Sequence, residues 1–239
     1  GPRVGRSFVD PGAFGRRSQA SSESSTFVEW LTSNGMYLSS KATWGRALHP
    51  LAIADETTDD GEPSSRGLIA VKSLNQGEAL FEVPWQLVLT RTRALEHVPG
   101  LPEDSDEYIA IAVMLIQERA RGSESFWKPY LDILPKDEEM VPLFRWDEND
   151  LELLRGSPSL AAARSLRSKL RSEFLSIEET FLKSDRERFP ETVFTNDAWE
   201  WAFAVLFSRA IMLQKEGCIA LVPYADLLNH NPFCSTYID

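Results

Sequence analysis

The chain has 239 residues, 43% of them hydrophobic and 26% charged, enough apolar material for one large domain or one domain with an insert. A net charge of −11 argues against a nucleic-acid-binding surface, which needs clustered Lys and Arg to neutralise phosphates. Cys218 and Cys234 make no disulfide framework and lack zinc spacing, which suits a reducing compartment, and no apolar run approaches the ~18 residues of a membrane span. In chain order, residues 1–24 read as a disordered leader. Its first 22 residues carry Arg3, Arg6, Arg16 and Arg17, several serines and a single acid, Asp10, a composition shared with organelle transit peptides. A helix follows in TFVEWLTSNG, with a Thr26/Glu29 capping box, Phe27, Trp30 and Leu31 on one face, and Gly35 as its stop.

The stretch IADETTDDGEPSSRG holds five acids and no base before Arg66, and reads as a solvated loop ending in a turn. GLIAVKSLNQGEALFEVPWQLVLT reads as two strands, with a turn at Asn75-Gln76-Gly77 and an interruption at Pro84. Residues 25–95 are therefore expected to be mostly β after one helix. The middle, 96–190, is helical. One helix is capped at Ser105 and ends on Arg119 and Arg121; a long one carries Leu160, Ala163, Leu166, Leu170, Phe174, Ile177 and Phe181 on a single stripe.

TNDAWEWAFAVLFSRAIML is apolar on nearly every side, so it reads as a buried helix with Arg209 in its midst. A guanidinium there needs a carboxylate, carbonyls or a ligand. Two readings stay open: a structural Arg–Asp pair, or a pair bordering a ligand. His49 and His97 lie in polar stretches and read as solvated surface residues. Asp226 and His230 could share a helical face around a metal, but the third ligand of a zinc motif is missing, so no metal is expected. A Ser208–His230–Asp226 triad has the residue types without the nucleophile elbow, and its Ser is expected inside the buried helix. These patterns stop at an α+β domain with a polar cluster after its last apolar run.

Several segments in order resemble a known family: FVEWL, RGLIAVKSLNQGE…VP, FWKPYLDILP, WDENDLELLRGS, WEWAFAVLFSRA and DLLNH. Together they are similar to the SET-domain protein-lysine methyltransferases, most closely the plant branch of Rubisco large-subunit methyltransferases, from about Thr26 to Asp239. The resemblance implies small β-sheets around a knot-like crossing, with a helical insert at 96–190 between SET halves at 25–95 and 191–239. It implies S-adenosylmethionine as cofactor, contacted by Ser64, Ser65, Arg66, Gly67, Arg209, Asn229 and His230. Gly67 suits this because close backbone approach needs an absent Cβ. Arg209 and Asp226 fall on the substrate-lysine side.

The implied reaction is methyl transfer to a lysine of a stromal protein, such as the Rubisco large subunit, in a monomeric enzyme with no nucleic-acid or membrane partner. Chloroplast stroma is the expected location, with the cytoplasm as runner-up. The family's orienting Tyr lies well past the Asn-His pair, and Tyr237 is too close to His230 to match it. The last part of the SET domain and the substrate-binding domain are therefore expected to be absent, and residues 1–239 alone to be aggregation-prone and inactive. The alternative is a SET-like scaffold that binds partners without catalysis.

Overall fold

The computed structural model describes residues 21–36, 51–59, 62–64, 66–71, 73–74 and 79–229. The leader at 1–20, the turn at 75–77, and His49, Ser65, His230, Cys234 and Tyr237 lie outside the described residues.

Helix α1 (Ser22–Ser33) starts earlier than the sequence signal suggested. Ser21, not Thr26, is its N-cap, accepting from the Ser24 N–H at 3.2 Å. Thr26 sits inside the helix and donates to the Ser22 carbonyl. A serine with a non-helical backbone satisfies an orphan N–H as well as a threonine does, and tertiary partners decide between them. Here the partner is Asp55, which accepts from the Ser21 N–H at 2.8 Å and the Ser24 hydroxyl at 3.0 Å. Phe27 and Leu31 are fully buried.

Strand β1 (Leu51–Ala54) pairs antiparallel with β4 (Gly67–Ala70), from Leu51 opposite Ala70 to Ala54 opposite Gly67. Between them the acidic segment is a hairpin rather than a solvated loop: β2 (Thr57–Asp59) pairs with β3 (Glu62–Ser64). Asp59 opposite Glu62 leaves two residues, Asp60 and Gly61, as the link, and Asp-Gly is a strong short hairpin signal. Charge density had masked it.

The second expected strand is largely irregular. Trp85–Leu87 forms a 3-10 turn after Pro84, and only β5 (Leu89–Thr90) joins a sheet. A Pro that cannot donate, followed by a tight turn, leaves too little extended chain for a longer ladder.

The helical segment runs from α2 (Arg91–His97) through α3 (Glu107–Arg121), α4 (Lys128–Ile133) and α5 (Glu148–Glu152) to α6 (Pro158–Thr180). The α3 cap is Asp106, one residue beyond Ser105; Ser105 instead donates to the Pro102 carbonyl. Residues 110–116 of α3 are all buried, so it is the central helix of the core. His97 is half-buried rather than solvated: it ends α2, its ring meets Trp127 edge-on at 4.9 Å, and its carbonyl accepts from Gln117. The stripe expected on α6 is the one that packs, with Ala163, Leu170 and Ile177 buried.

Helix α7 (Asn196–Arg209) packs on α3 and carries the buried run from Trp201 to Leu206. It ends sooner than its apolar pattern suggests. Ala210 is the C-cap and Ile211–Leu213 is strand β6, so Arg209 lies in the last helical turn, not mid-helix. A cation there suits the negative end of the helix dipole. Ser208 is exposed and donates to the Val205 carbonyl, so the hydrolase arrangement has no buried nucleophile. Strand β7 (Cys218–Leu221) is the centre of a three-stranded sheet ordered β5-β7-β6, with Leu89 opposite Leu221 and Leu213 opposite Cys218. This α+β arrangement gathers the chain's two β-rich ends against the helices. Among the described residues no helix is long and apolar enough to cross a membrane.

Candidate functional site

Beyond β7 the chain turns sharply. Pro223 leads into Tyr224, whose backbone sits at φ 75° and ψ −45° with the ring buried and edge-on to Phe81 at 5.2 Å. A bulky residue with φ in this range costs on the order of 1–3 kcal/mol, and such strain persists only where surrounding contacts over-determine it. The following 3-10 turn, Ala225–Leu227, delivers Asp226 inward and Asn229 toward the hairpin.

Two constellations result. In the first, the Asn229 side-chain amide donates to the Thr57 hydroxyl at 3.1 Å, bridging positions 172 apart in sequence. Gly67 lies against the same amide: a Cβ placed on it would stand 2.9 Å from Asn229 Oδ1 and 3.0 Å from the Thr57 methyl. Ordinary φ freedom is not what requires glycine here. Space is.

In the second, Asp226 is fully buried between helices α4 and α7. Its Oδ2 accepts from the Tyr130 hydroxyl at 2.7 Å, and Arg209 Nη1 approaches the same oxygen at 3.7 Å. The same Nη1 donates to the Asp226 main-chain carbonyl at 3.2 Å. Each member of this pair has one buried polar atom without a hydrogen-bond partner among the described residues, Arg209 Nε and Asp226 Oδ1, as do five other buried side chains elsewhere. Burial pushes the Asp226 carboxyl above its ordinary value, against the pull of Arg209 and Tyr130. Tyr130 is raised well above the phenolic range by its own burial and then by the Asp226 charge, so it stays a protonated donor.

Arg66 has a different setting. Its Nε donates to Asp55 at 3.2 Å and its Nη1 to the Ile133 carbonyl of α4 at 3.0 Å, so the side chain is committed to the scaffold. Ser64 ends β3 opposite Thr57. The structure thus brings Gly67 together with Asn229, and Arg209 with Asp226. Sequence reasoning missed Thr57, hidden in the acid-rich stretch, and Tyr130, whose buried hydroxyl finds its partner 96 positions away. Among the described residues no group of His, Cys, Asp and Glu could hold a metal.

No protein-family model matches the chain. A search of curated proteins finds it 30% identical over 175 residues to the chloroplastic Rubisco large subunit N-methyltransferase of Nicotiana tabacum, covering 73% of this chain and 35% of that protein. It is also 30% identical over 175 residues to the chloroplastic fructose-bisphosphate aldolase-lysine N-methyltransferase of Arabidopsis thaliana, covering 73% and 36%. Among solved structures, the SET domain of LSMT bound to lysine and AdoHcy matches with a TM-score of 0.75 and 27% identity, over 90% of this chain and 46% of that one. The chain thus spans between about a third and a half of the length of the proteins it matches. In fold and in sequence, this chain is a SET-domain protein related to the Rubisco large-subunit methyltransferases.

Proposed function

We propose that this chain is the SET region of an S-adenosylmethionine-dependent protein-lysine N-methyltransferase that acts on a protein of the chloroplast stroma. The observation that carries the reading is the closure of Asn229 onto Gly67 and Thr57, beside an Arg209–Asp226 pair that keeps one buried donor and one buried acceptor without a partner among the described residues. Relatives with this fold have been solved with AdoHcy and lysine bound, and two plant relatives are chloroplastic lysine methyltransferases.

The residues present fit the cofactor. Gly67 offers backbone without a Cβ, and the buried Nε–H of Arg209 is a charged donor suited to a carboxylate. S-adenosylmethionine, when bound, supplies an electrophilic methyl group for in-line transfer to a neutral lysine amine. Arg209 would hold the cofactor's acidic end, and the backbone around Ser64, Ser65, Arg66 and Gly67, with Asn229 and His230, would complete the cradle. Asp226 Oδ1 would accept a hydrogen bond on the substrate side. Alignment by these groups is the main rate contribution such a site can make, because the reaction needs little acid–base assistance. Exclusion of water by the buried apolar residues of α7 and β7 favours the uncharged amine.

Incubating the longest native reading frame that contains this sequence with methyl-labelled cofactor and leaf stromal extract tests the reading. Labelled lysine in a stromal protein is the expected result. Cofactor binding by calorimetry without any transfer would instead place the protein among partner-binding scaffolds, and neither binding nor transfer would overturn the cofactor assignment as well. For the location, a fluorescent reporter fused behind the native N-terminus should enter chloroplasts; a purely cytosolic signal would refute it.

A further inference from the structure

Helix α4 has only six residues, yet it reaches both the Asp226 carboxylate and Arg66, the chain neighbour of Gly67. At its start, the Trp127 indole donates to the Leu87 carbonyl at 3.1 Å, fixing the helix against the segment that leads into β5. In its middle, Tyr130 is fully buried and reaches Asp226. At its end, the Ile133 carbonyl accepts from Arg66, immediately before Gly67. A Lys128–Asp132 ion pair stiffens the outer face. A helix pinned at three points across the chain has little freedom to shift, so the Tyr130 hydroxyl is presented to Asp226 at a set place.

The Asp226 carboxylate sits in buried surroundings where Oδ2 is taken by Tyr130 and more loosely by Arg209, while Oδ1 has no partner among the described residues. A carboxylate can swing about its last torsion, which is broad for Asp. Of the two contacts, the 2.7 Å hydroxyl bond is the one short and directional enough to stop that swing; the 3.7 Å approach of Arg209 is not.

We propose that Tyr130 is a positioning residue for the methyl-transfer site, whose hydroxyl locks the Asp226 carboxylate in one orientation and reserves Oδ1 for the bound substrate. This rests on the methyltransferase reading and adds to it a part for the helical segment, which contributes to the site's geometry as well as to the core. The role is indirect: Tyr130 acts through Asp226 and touches no reacting atom. Burial raises the Asp226 carboxyl, while the Arg209 guanidinium from α7, the Tyr130 hydroxyl from α4 and a backbone hydrogen bond of Asp226 itself favour the charged form. Removing the hydroxyl takes away one of the groups that oppose burial, so the carboxyl must then lose its proton at a higher pH.

The test is Tyr130→Phe in the longest native chain, with two readouts. Carbon-13 NMR of labelled aspartate carboxyls, with the Asp226 signal assigned through Asp226→Asn, should show Asp226 titrating at higher pH in Tyr130→Phe than in the unmodified protein. The pH profile of kcat/KM should show its acid limb moved upward by the same amount, with a loss that is largest on the acid side and shrinks as pH rises. Adding Tyr130→Phe to Asp226→Asn should cost nothing further. A folded Tyr130→Phe protein with an unmoved Asp226 titration overturns the proposal, whether or not methyl transfer is observed. An unmoved pH profile in an enzyme that does transfer methyl groups also overturns it. If no transfer is seen in any variant, the function reading falls while the NMR titration still decides the role of Tyr130. Should Tyr130→Phe fail to fold, 3-fluorotyrosine placed at position 130 supplies the comparison: its more acidic hydroxyl keeps the contact and donates more strongly, so Asp226 should titrate at lower pH than in the unmodified protein, and an unmoved titration overturns the proposal.

Discussion

Two Asp–Arg pairs in this molecule have the same chemistry and opposite settings. Asp55 and Arg66 lie about a quarter exposed, and every strong contact Asp55 makes is a short hydrogen bond from Ser21, Ser24 or Arg66. Burial raises its carboxyl, but the Ser21, Ser24 and Arg66 hydrogen bonds and the Arg66 charge outweigh that and hold it below the ordinary value. The Asp226 carboxylate is fully buried and Arg209 largely so, their closest side-chain approach is 3.7 Å, each keeps a polar atom unpartnered among the described residues, and burial of the carboxyl wins. The first pair is finished by the protein, which is what a scaffold joint requires. The second is left incomplete by the protein, and an incomplete buried pair is costly unless something else completes it.

Substitutions that break one pair and spare the other sharpen this contrast. The largest effect is expected from Arg209→Ala, which strands the buried Asp226. Affinity for S-adenosylmethionine should fall by roughly 2–5 kcal/mol, as for removal of one partner of a buried charge pair. Calorimetry on a folded mutant reads this directly, and unchanged affinity would make Arg209 as structural as Arg66. Next comes Gly67→Ala, whose new methyl must displace Asn229 or Thr57. The overpacking should cost about 1–3 kcal/mol in thermal or denaturant unfolding, and cofactor binding should weaken with it. An alanine variant that binds as tightly as the original would show that the close approach at Gly67 is incidental.

The smallest effect is expected at the finished pair. Asp55→Asn should lower stability by about 1 kcal/mol near neutral pH, discounted for partial exposure, and leave cofactor affinity alone. The sign with pH follows from a folded value below the unfolded one. The wild-type advantage is complete above the ordinary carboxyl value of 3.8 and fades as pH falls through the lower folded value. Asp226 behaves in the opposite sense, since its folded value is raised. Its ionisation favours folding less as pH climbs through that value, so Asp226→Asn should gain relative stability on the alkaline side. Denaturant titrations of both variants across pH 3 to about 8 separate the two carboxyls.

Much of this was legible in the residues, and the misses have physical reasons. The stripe on α6 and the buried α7 followed from apolar spacing, and the partnership of Arg209 with Asp226 from a cation that needs a carboxylate in apolar surroundings. The β2–β3 hairpin did not, because five acids suggested solvation while the Asp-Gly link that specifies the hairpin went unweighted. The end of α7 was misplaced because apolar residues continue through Ile211–Leu213; periodicity cannot tell a buried helix from the buried strand that succeeds it. Tyr130 was invisible as a site residue because its partner lies 96 positions away, and a single sequence carries no record of such a pairing.

The position of β7 between β5 and β6 bears on how the chain folds as it leaves the ribosome. β5 is complete early but has no strand to pair with until residues 220–221 have been made, which at ordinary elongation rates takes on the order of ten seconds. In that interval the helical segment emerges, and the Trp127 indole can already grip the Leu87 carbonyl. We expect the helical segment then to hold the Leu89 edge in place for its late-arriving partner β7. Loosening that grip with Trp127→Phe is expected to lengthen the wait more than it lowers final stability, a difference that pulse-labelling of nascent chains can time.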